Sequence, residues 1–402
     1  MPTASVSPVS PVSEALDRWR AGDRAPLLRS EFLDVLGSVP DPRCTRGRRY
    51  SLAALLAIAI LATAAGMRGY AGFATWARTA PEEVLAGLGV RFRRPSEKTF
   101  RSVLSCLDAA DLDRRLGAYF MALAAEQAAA AGEPLAVALD GKSLRGARRA
   151  GAAAAHLVSV FAHRARLVLG QLAVAEKSNE IPCVRKLLRS LRRMGLLVTV
   201  DAMHTQRATA TLICGTLKSH YLMVVKSNQA KLLARITALP WVEVPVVCTD
   251  DDRGHGRREA RTLKILTAAR GIGFPYARQV VQITRERIVI ATGARTVEVV
   301  YAICSLPFEQ ARPAAITAWL RQHWGIENSV HWVRDVTFDE DRSTVRTGAG
   351  PQVTATVRNT VVNLHRLRGA TNIAEACRST ALTVGDSLNL LTDHRIPSSQ
   401  AC

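Results

Sequence analysis

Three short apolar runs, "PLAVALD" (134–140), "GLLVTVD" (195–201) and "YLMVVK" (221–226), limit what this chain can fold into more than any other feature. Each has strand length, and the composition predicts strands buried in a core. A helical pattern precedes the second run, "IPCVRKLLRSLRRM", where Pro182 suits a first helical turn, and another, "RATATLICGTLK", separates the second from the third. Such alternation predicts an α/β fold: a mixed sheet with parallel members and helices on both faces. "HLVSVFAHRARLVLGQLAVAE" adds a hairpin of two further strands that turns near Arg164–Arg166.

The flanks have a different texture. Residues 1–26 form a Ser/Pro-rich lead that cannot bury enough to order itself. From 27 to 130 the pattern is helical, with Arg-rich punctuation at "PRCTRGRRY" and "RFRRPSEK". A helical DNA-binding module and a plain all-α bundle fit that region equally. Ser96 is the expected N-cap of one long helix reaching "MALAAEQ" at 121–127. Residues 229–300 read as a β-rich, Arg-rich insertion that splits the expected core into 131–228 and 301–370, and 371–402 reads as a C-terminal tail. A helix is expected from about 313 to 334.

Charge narrows the partner. There are 54 Lys and Arg against 34 Asp and Glu, a formal net charge of +20. Such a surplus points to a polyanion bound through phosphate neutralisation, although a solvated Arg surface gives the same number. The eight cysteines are scattered with no C-x-x-C, which argues against a disulfide framework or a zinc ribbon and fits a reducing cytoplasm. The run "LAALLAIAILATAAG" is too short and too rich in Ala to span a bilayer, and no export signal is visible, so a cytoplasmic, nucleoid-associated protein is expected.

Asp140 and Asp201 both close predicted core strands, and ligands of open α/β sheets bind at that edge. Two neighbouring carboxylates repel unless a cation neutralises them, and Mg²⁺ takes hard oxygen ligands of this kind. Asp is also an ordinary turn residue there. Glu327 is the third candidate. On an ideal helix Leu320, His323, His331 and Arg334 lie within about 40° of it, which suggests a stripe of His, Glu, His and Arg facing phosphate; a surface salt-bridge face is the plainer reading. His204, His323 and His331 lack the spacing of a zinc site.

The ordered strings "ALDGKSLRGA", "EKSNEIP", "VTVDAMHTQ", "HGRREAR", "HWGIENSVHW" and "DVTFDEDRS" resemble the bacterial insertion-sequence transposases of the DDE class, in the group of the H-repeat-associated proteins. The resemblance runs from about residue 30 to 395. It implies a ribonuclease H-like core with the catalytic, metal-holding set Asp140, Asp201 and Glu327. The implied cofactor is Mg²⁺, with Mn²⁺ as substitute, as two ions about 4 Å apart. It further implies cleavage of transposon inverted-repeat ends in double-stranded DNA, transfer of the freed 3′-hydroxyl to target DNA, and a dimer or higher assembly at synapsis, with no membrane and no small-molecule substrate. A catalytically silent DNA-binding derivative, or a nuclease without strand transfer, are the alternatives. The wider signature around the Glu, Tyr-x2-Arg-x3-Glu-x6-Lys, is not kept: Leu320, His323 and Arg334 occupy its other positions.

Candidate DNA contacts are Lys142, Arg145, His255, Arg257, Arg321, His323, His331 and Arg334, each with a solvated or turn role as the alternative. Arg185, Arg189 and Arg192 share a helix face; Asp250, Asp251 and Asp252 read as a solvated turn. Asp335, Asp339, Glu340 and Asp341 follow Glu327, and any of them is a possible helper.

Overall fold

The structure is a computed structural model and describes residues 30–392 apart from 47, 92, 148–155, 175–179, 192–194 and 255. The Ser/Pro-rich lead, His255, Arg192 and the last ten residues lie outside the described residues.

The N-terminal part is helical. Helix α1 (Glu31–Gly37) starts at Ser30, whose Oγ accepts the Leu33 N–H. The apolar run forms α2 (Leu52–Ala64), which is buried on nearly every side, as a helix without a polar face must be. No single helix among the described residues is long and apolar enough to cross a membrane. Three shorter helices follow, α3 (Gly69–Thr79), α4 (Glu82–Gly87) and α5 (Glu97–Leu104). Ser96 caps α5, as its position suggests. The single long helix expected from there is instead two. Asp108 takes the N–H groups of Ala110 and Asp111 and restarts the chain as α6 (Ala109–Ala130).

The sheet comes next: β1 (Ala136–Ser143), β2 (His156–Ala162), β3 (Val168–Val174), then α7 (Glu180–Ser190), β4 (Leu197–Val200), α8 (Arg207–Thr211, running on into a π-helical turn) and β5 (His220–Val225). Helix α9 (Ala230–Thr237) leads into β6 (Cys248–Gly254), β7 (Arg257–Thr267), β8 (Gln279–Val289) and β9 (Arg295–Cys304). Among the described residues all nine strands form one sheet in the order β3-β2-β1-β4-β5-β9-β8-β7-β6. Strands β1, β4 and β5 are parallel; β2 is antiparallel to β1, and β3 turns back antiparallel to β2 to complete a hairpin. This is the mixed sheet with parallel members anticipated from the sequence. The β-rich segment does not stand apart from it. β9 pairs antiparallel with β5, Leu222 opposite Cys304, and the meander continues outward from there.

Helix α10 (Pro313–His323) is followed by a π-helical turn (Glu327–His331) and by α11 (Trp332–Val336), then α12 (Gly350–Leu367) and α13 (Ile373–Leu382). The alternation of strand side chains sorts the core into two layers. Val137, Leu139, Val198 and Val200 join a large cluster with α2, α6 and α12, so the N-terminal helices share their core with the sheet. On the other face Ala136 and Leu197 meet Ile316 and Trp319, while Ala138 meets Ile326 and Val330. Residues 371–392 are not a loose tail: Leu390 and Leu391 are buried, and the Ser30 hydroxyl donates to the Leu391 carbonyl at 2.6 Å.

Candidate active site

Register brings the two strand-end aspartates together. Leu139 of β1 is opposite Val200 of β4, the last couple in that parallel ladder. Asp140 and Asp201 are the next residues in each chain segment, so their backbones stand at one level just past the end of that ladder, about 5 Å apart. Alternation puts both on the side of Ala138 and Thr199, the face covered by α10 and the π turn. β1 does not stop at Asp140 as expected; it continues to Ser143, paired with β2 alone.

The helix that carries Glu327 is laid along β1, and their contacts rise in step. Trp319 packs near Ala136, His323 Nδ1 is 2.9 Å from Thr199 Oγ1, and Ile326 and Val330 cover Ala138. His331 Nδ1 stands 3.3 Å from Asp140 Oδ2, and Lys142 Nζ donates to both oxygens of Asp335 at 2.6 Å. Sixteen helical residues rise about 24 Å, and six strand residues about 20 Å, so the two elements keep pace. Glu327 falls between Ile326 and His331, where the packed sheet gives way to its open edge, and it is exposed.

Burial raises the Asp140 carboxyl, but the hydrogen bond and charge of His331, the Gly141 N–H and the charge of His323 outweigh it and hold the group below the usual range. His323 itself is pushed down, chiefly by burial, against the raising effect of Asp140 and Asp201. Asp201 is exposed, with Lys226 Nζ 4.0 Å away. Asp140, held ionised, and Asp201 at the same level are oxygen donors of the kind a hard divalent cation takes. Among the described residues no three His, Cys, Asp or Glu side chains are gathered into a metal-holding group.

Of the stripe read from the helix, His323, His331 and Arg334 turn inward, whereas Glu327 is exposed. His323 and Lys142 are each 8% exposed and engaged as described above, so neither is a free grip for phosphate. Arg334 is 0% exposed: its Nε donates to Glu340 Oε2 at 2.8 Å, and Arg358 Nη1 donates to Glu340 Oε1 at 2.7 Å. His331 is turned to Asp140. These four assignments to DNA are therefore corrected: an ideal wheel gives the face shared by His323, His331 and Arg334 but not what packs against it, and Lys142, on β1, is taken up by Asp335. Arg145 is open to solvent, with Asp341 3.7 Å away. Arg321 is half exposed and donates to Asp250 Oδ2 at 2.7 Å, so the acidic run at 250–252 is partly paired.

Arg257 belongs to a cationic cluster that the sequence only hinted at. Arg257, Arg261, Arg285 and Arg287 all address Glu259, with Arg285 Nη2 at 2.8 Å and Arg287 Nε at 3.1 Å. Burial raises Glu259, but Arg285 first, and then Arg261 and Arg287, bring it to about 2. Four guanidiniums on one carboxylate leave an excess of positive charge on this face of the sheet. Arg285 also lies over the exposed Trp324 ring, 5.5 Å from its centroid, three residues before Glu327.

A second group went unnoticed in the sequence because its members are far apart in the chain. The buried Glu180 carboxylate, at the start of α7, has His156 Nε2 2.9 Å from Oε2 and His204 Nε2 2.9 Å from Oε1. Burial raises Glu180, and the hydrogen bonds of His156 and His204 pull it down to about 2.

Residues 131–364 match the family model described as the transposase DDE domain, and residues 33–120 match its companion, the DDE_Tnp_1-associated model. The H repeat-associated protein YhhI of Escherichia coli (strain K12) is 26% identical over 350 residues, 83% of this chain and 90% of that protein. YncI of Escherichia coli O157:H7 is 31% identical over 250 residues, 57% of this chain but 61% of YncI. A cryo-EM structure of the piggyBac transposase synaptic complex with hairpin DNA aligns with a TM-score of 0.40 at 10% identity, covering 90% of this chain and 78% of that one.

Proposed function

The chain belongs to the transposase DDE-domain family, and from that premise we propose that it cleaves the ends of an insertion sequence and joins the freed 3′-hydroxyls to target DNA. One observation carries this reading: Asp140 and Asp201 follow matched residues on adjacent parallel strands, beneath the helix that bears Glu327. We assign to these three carboxylates the holding of Mg²⁺, with Mn²⁺ as substitute. Metal bound there supplies activation of the attacking oxygen and stabilisation of the leaving oxygen.

The chain's own groups divide the remaining work. Asp140 is held ionised and can accept a cation once His331 turns aside; the buried Arg334–Glu340–Arg358 set and the Lys142–Asp335 pair fix the far end of the helix. The Arg257, Arg261, Arg285 and Arg287 face and the exposed Arg145 offer phosphate contacts, which suits double-stranded DNA as partner. Two ends must be held at once, so at least a dimer is required at work.

The test uses the full-length protein, Mg²⁺, a labelled DNA end taken from the sequence flanking the gene, and a supercoiled plasmid. Labelled strand joined covalently to the plasmid is the expected product. Cleavage without joining would make the protein a nuclease, and binding without cleavage a silent DNA-binding derivative; either overturns the proposal.

A further inference from the structure

Glu180 is buried, ionised and bound to two histidines, and nothing in the chemistry described so far uses it. Its neighbours explain why it matters. His204 lies in the turn directly after Asp201. His156 is on β2 opposite Ser143, whose Oγ is 3.0 Å from His156 Nδ1, three residues beyond Asp140. Gly141, the residue after Asp140, is the point of closest approach: a Cβ built there would fall against His156 Nε2 and 2.8 Å from the Glu180 carboxyl. One carboxylate thus touches the segments immediately following both Asp140 and Asp201.

The turn holding Asp201 is also fastened on its other side. Thr205 Oγ1 donates to the Val224 carbonyl at 2.6 Å, and Asn228 Nδ2 donates to the Ala202 carbonyl at 2.6 Å. Those bonds tie the turn toward β5. Glu180 ties it toward β1 and β2, across the gap where the β1–β4 ladder has already ended at Leu139 and Val200. We propose that Glu180 is a positioning residue that, through His156 and His204, sets Asp201 against Asp140 at the spacing a shared divalent cation requires. This inference rests on the reading of those two carboxylates as metal-holding.

The hydrogen-bond chemistry makes the role specific. An ionised carboxylate only accepts, so both rings must present Nε2–H. His156 then has Nδ1 free to accept from Ser143, and His204 Nδ1 is buried without a hydrogen-bond partner among the described residues, which suits a lone pair better than an N–H. A Gln at 180 can keep both contacts. Its carbonyl accepts from the His204 ring, and its amide donates to His156 Nε2 once that ring carries its proton on Nδ1, from where it donates a hydrogen bond to Ser143 Oγ. An Ala keeps neither.

The experiment titrates Mn²⁺ alone into the full-length protein and follows free Mn²⁺ by electron paramagnetic resonance, with thermal melting to verify folding. Glu180→Ala is expected to weaken Mn²⁺ binding about 10–100-fold, the usual effect of removing a group that orients ligands, while Glu180→Gln stays within a few-fold of the parent. In the cleavage assay Glu180→Ala should lower kcat with KM for DNA unchanged. Should Glu180→Ala fail to fold, His204→Ala removes one arm and leaves the His156–Glu180 pair, and is expected to weaken binding in the same direction. A folded Glu180→Ala that binds Mn²⁺ like the parent overturns the proposal, as does a Glu180→Gln that loses binding as fully as Glu180→Ala. If the parent itself binds no Mn²⁺ that Asp140→Ala and Asp201→Ala abolish, the reading of the carboxylates fails first and this inference falls with it.

Discussion

At the scale of single residues the buried Arg334–Glu340–Arg358 set shows how environment overrides residue type. Arg334 is the largest fully buried side chain among the described residues, and burial raises Glu340 while Arg334 and Arg358 together hold it below the ordinary range. Removing the shared carboxylate strands two guanidiniums in the interior, and breaking a buried pair in this way costs about 3–5 kcal/mol. Glu340→Gln should therefore lower urea-unfolding stability by roughly that amount, and by more than Arg334→Met, which leaves the Glu340–Arg358 pair intact and keeps much of the packed volume. Equal losses would contradict this account of the triad. The sequence placed Arg334 on the correct stripe with His323 and His331. It could not reveal that these side chains turn inward, because Arg334 answers to Glu340 and to Asn359, and Asn359 sits on another helix.

Elements dock through similar buried polar contacts. Helix α6 lies against β3, where Gly117 is needed because a Cβ would meet the Leu169 carbonyl. Four residues earlier Asp113 accepts the Gln171 N–H at 2.6 Å, with Thr356 Oγ1 of α12 3.3 Å from its other oxygen. Burial is the chief influence on Asp113 and pushes it up to about 7, against the lowering effect of the Gln171 N–H, Thr356 and Arg334. The native chain thus keeps a proton that the unfolded chain releases near 3.8. The resulting stability is complete below that value and is lost as pH climbs through about 7; a gap of this size corresponds to about 4 kcal/mol at most. Asp113→Asn mimics the protonated form, accepting from Gln171 and donating to Thr356. Its urea midpoint should change less between pH 5 and pH 8 than that of the parent, and identical pH slopes would contradict the assignment. Helix α10 and the core strands were legible as apolar periodicities. The break at Ser105–Asp108 was missed because the apolar periodicity runs through it, and the π turn at Glu327–His331 leaves no residue-level mark.

In the whole molecule one sheet unites parts that read as separate. The N-terminal helices share a core with β1 and β4, and the β-rich segment extends the sheet from β5 outward. Strand alternation and the two closing aspartates were enough to recover the parallel centre and the level of the candidate site. Pairing of β9 with β5 is a long-range choice between β-competent segments, and apolar runs alone do not decide it. Where the sheet extends, arginines cluster around Glu259 and beside Trp324, within reach of the Glu327 helix. The central claim is that Asp140, Asp201 and Glu327 act as one metal-holding set, and single-turnover cleavage of a labelled insertion end in Mg²⁺ tests it most directly. Asp140→Ala, Asp201→Ala and Glu327→Ala should each lower the rate at least about 1,000-fold, the double variants should fall no further, and DNA binding should persist, as expected of groups that work as a unit. Cleavage at the parental rate in any one of the three would contradict it.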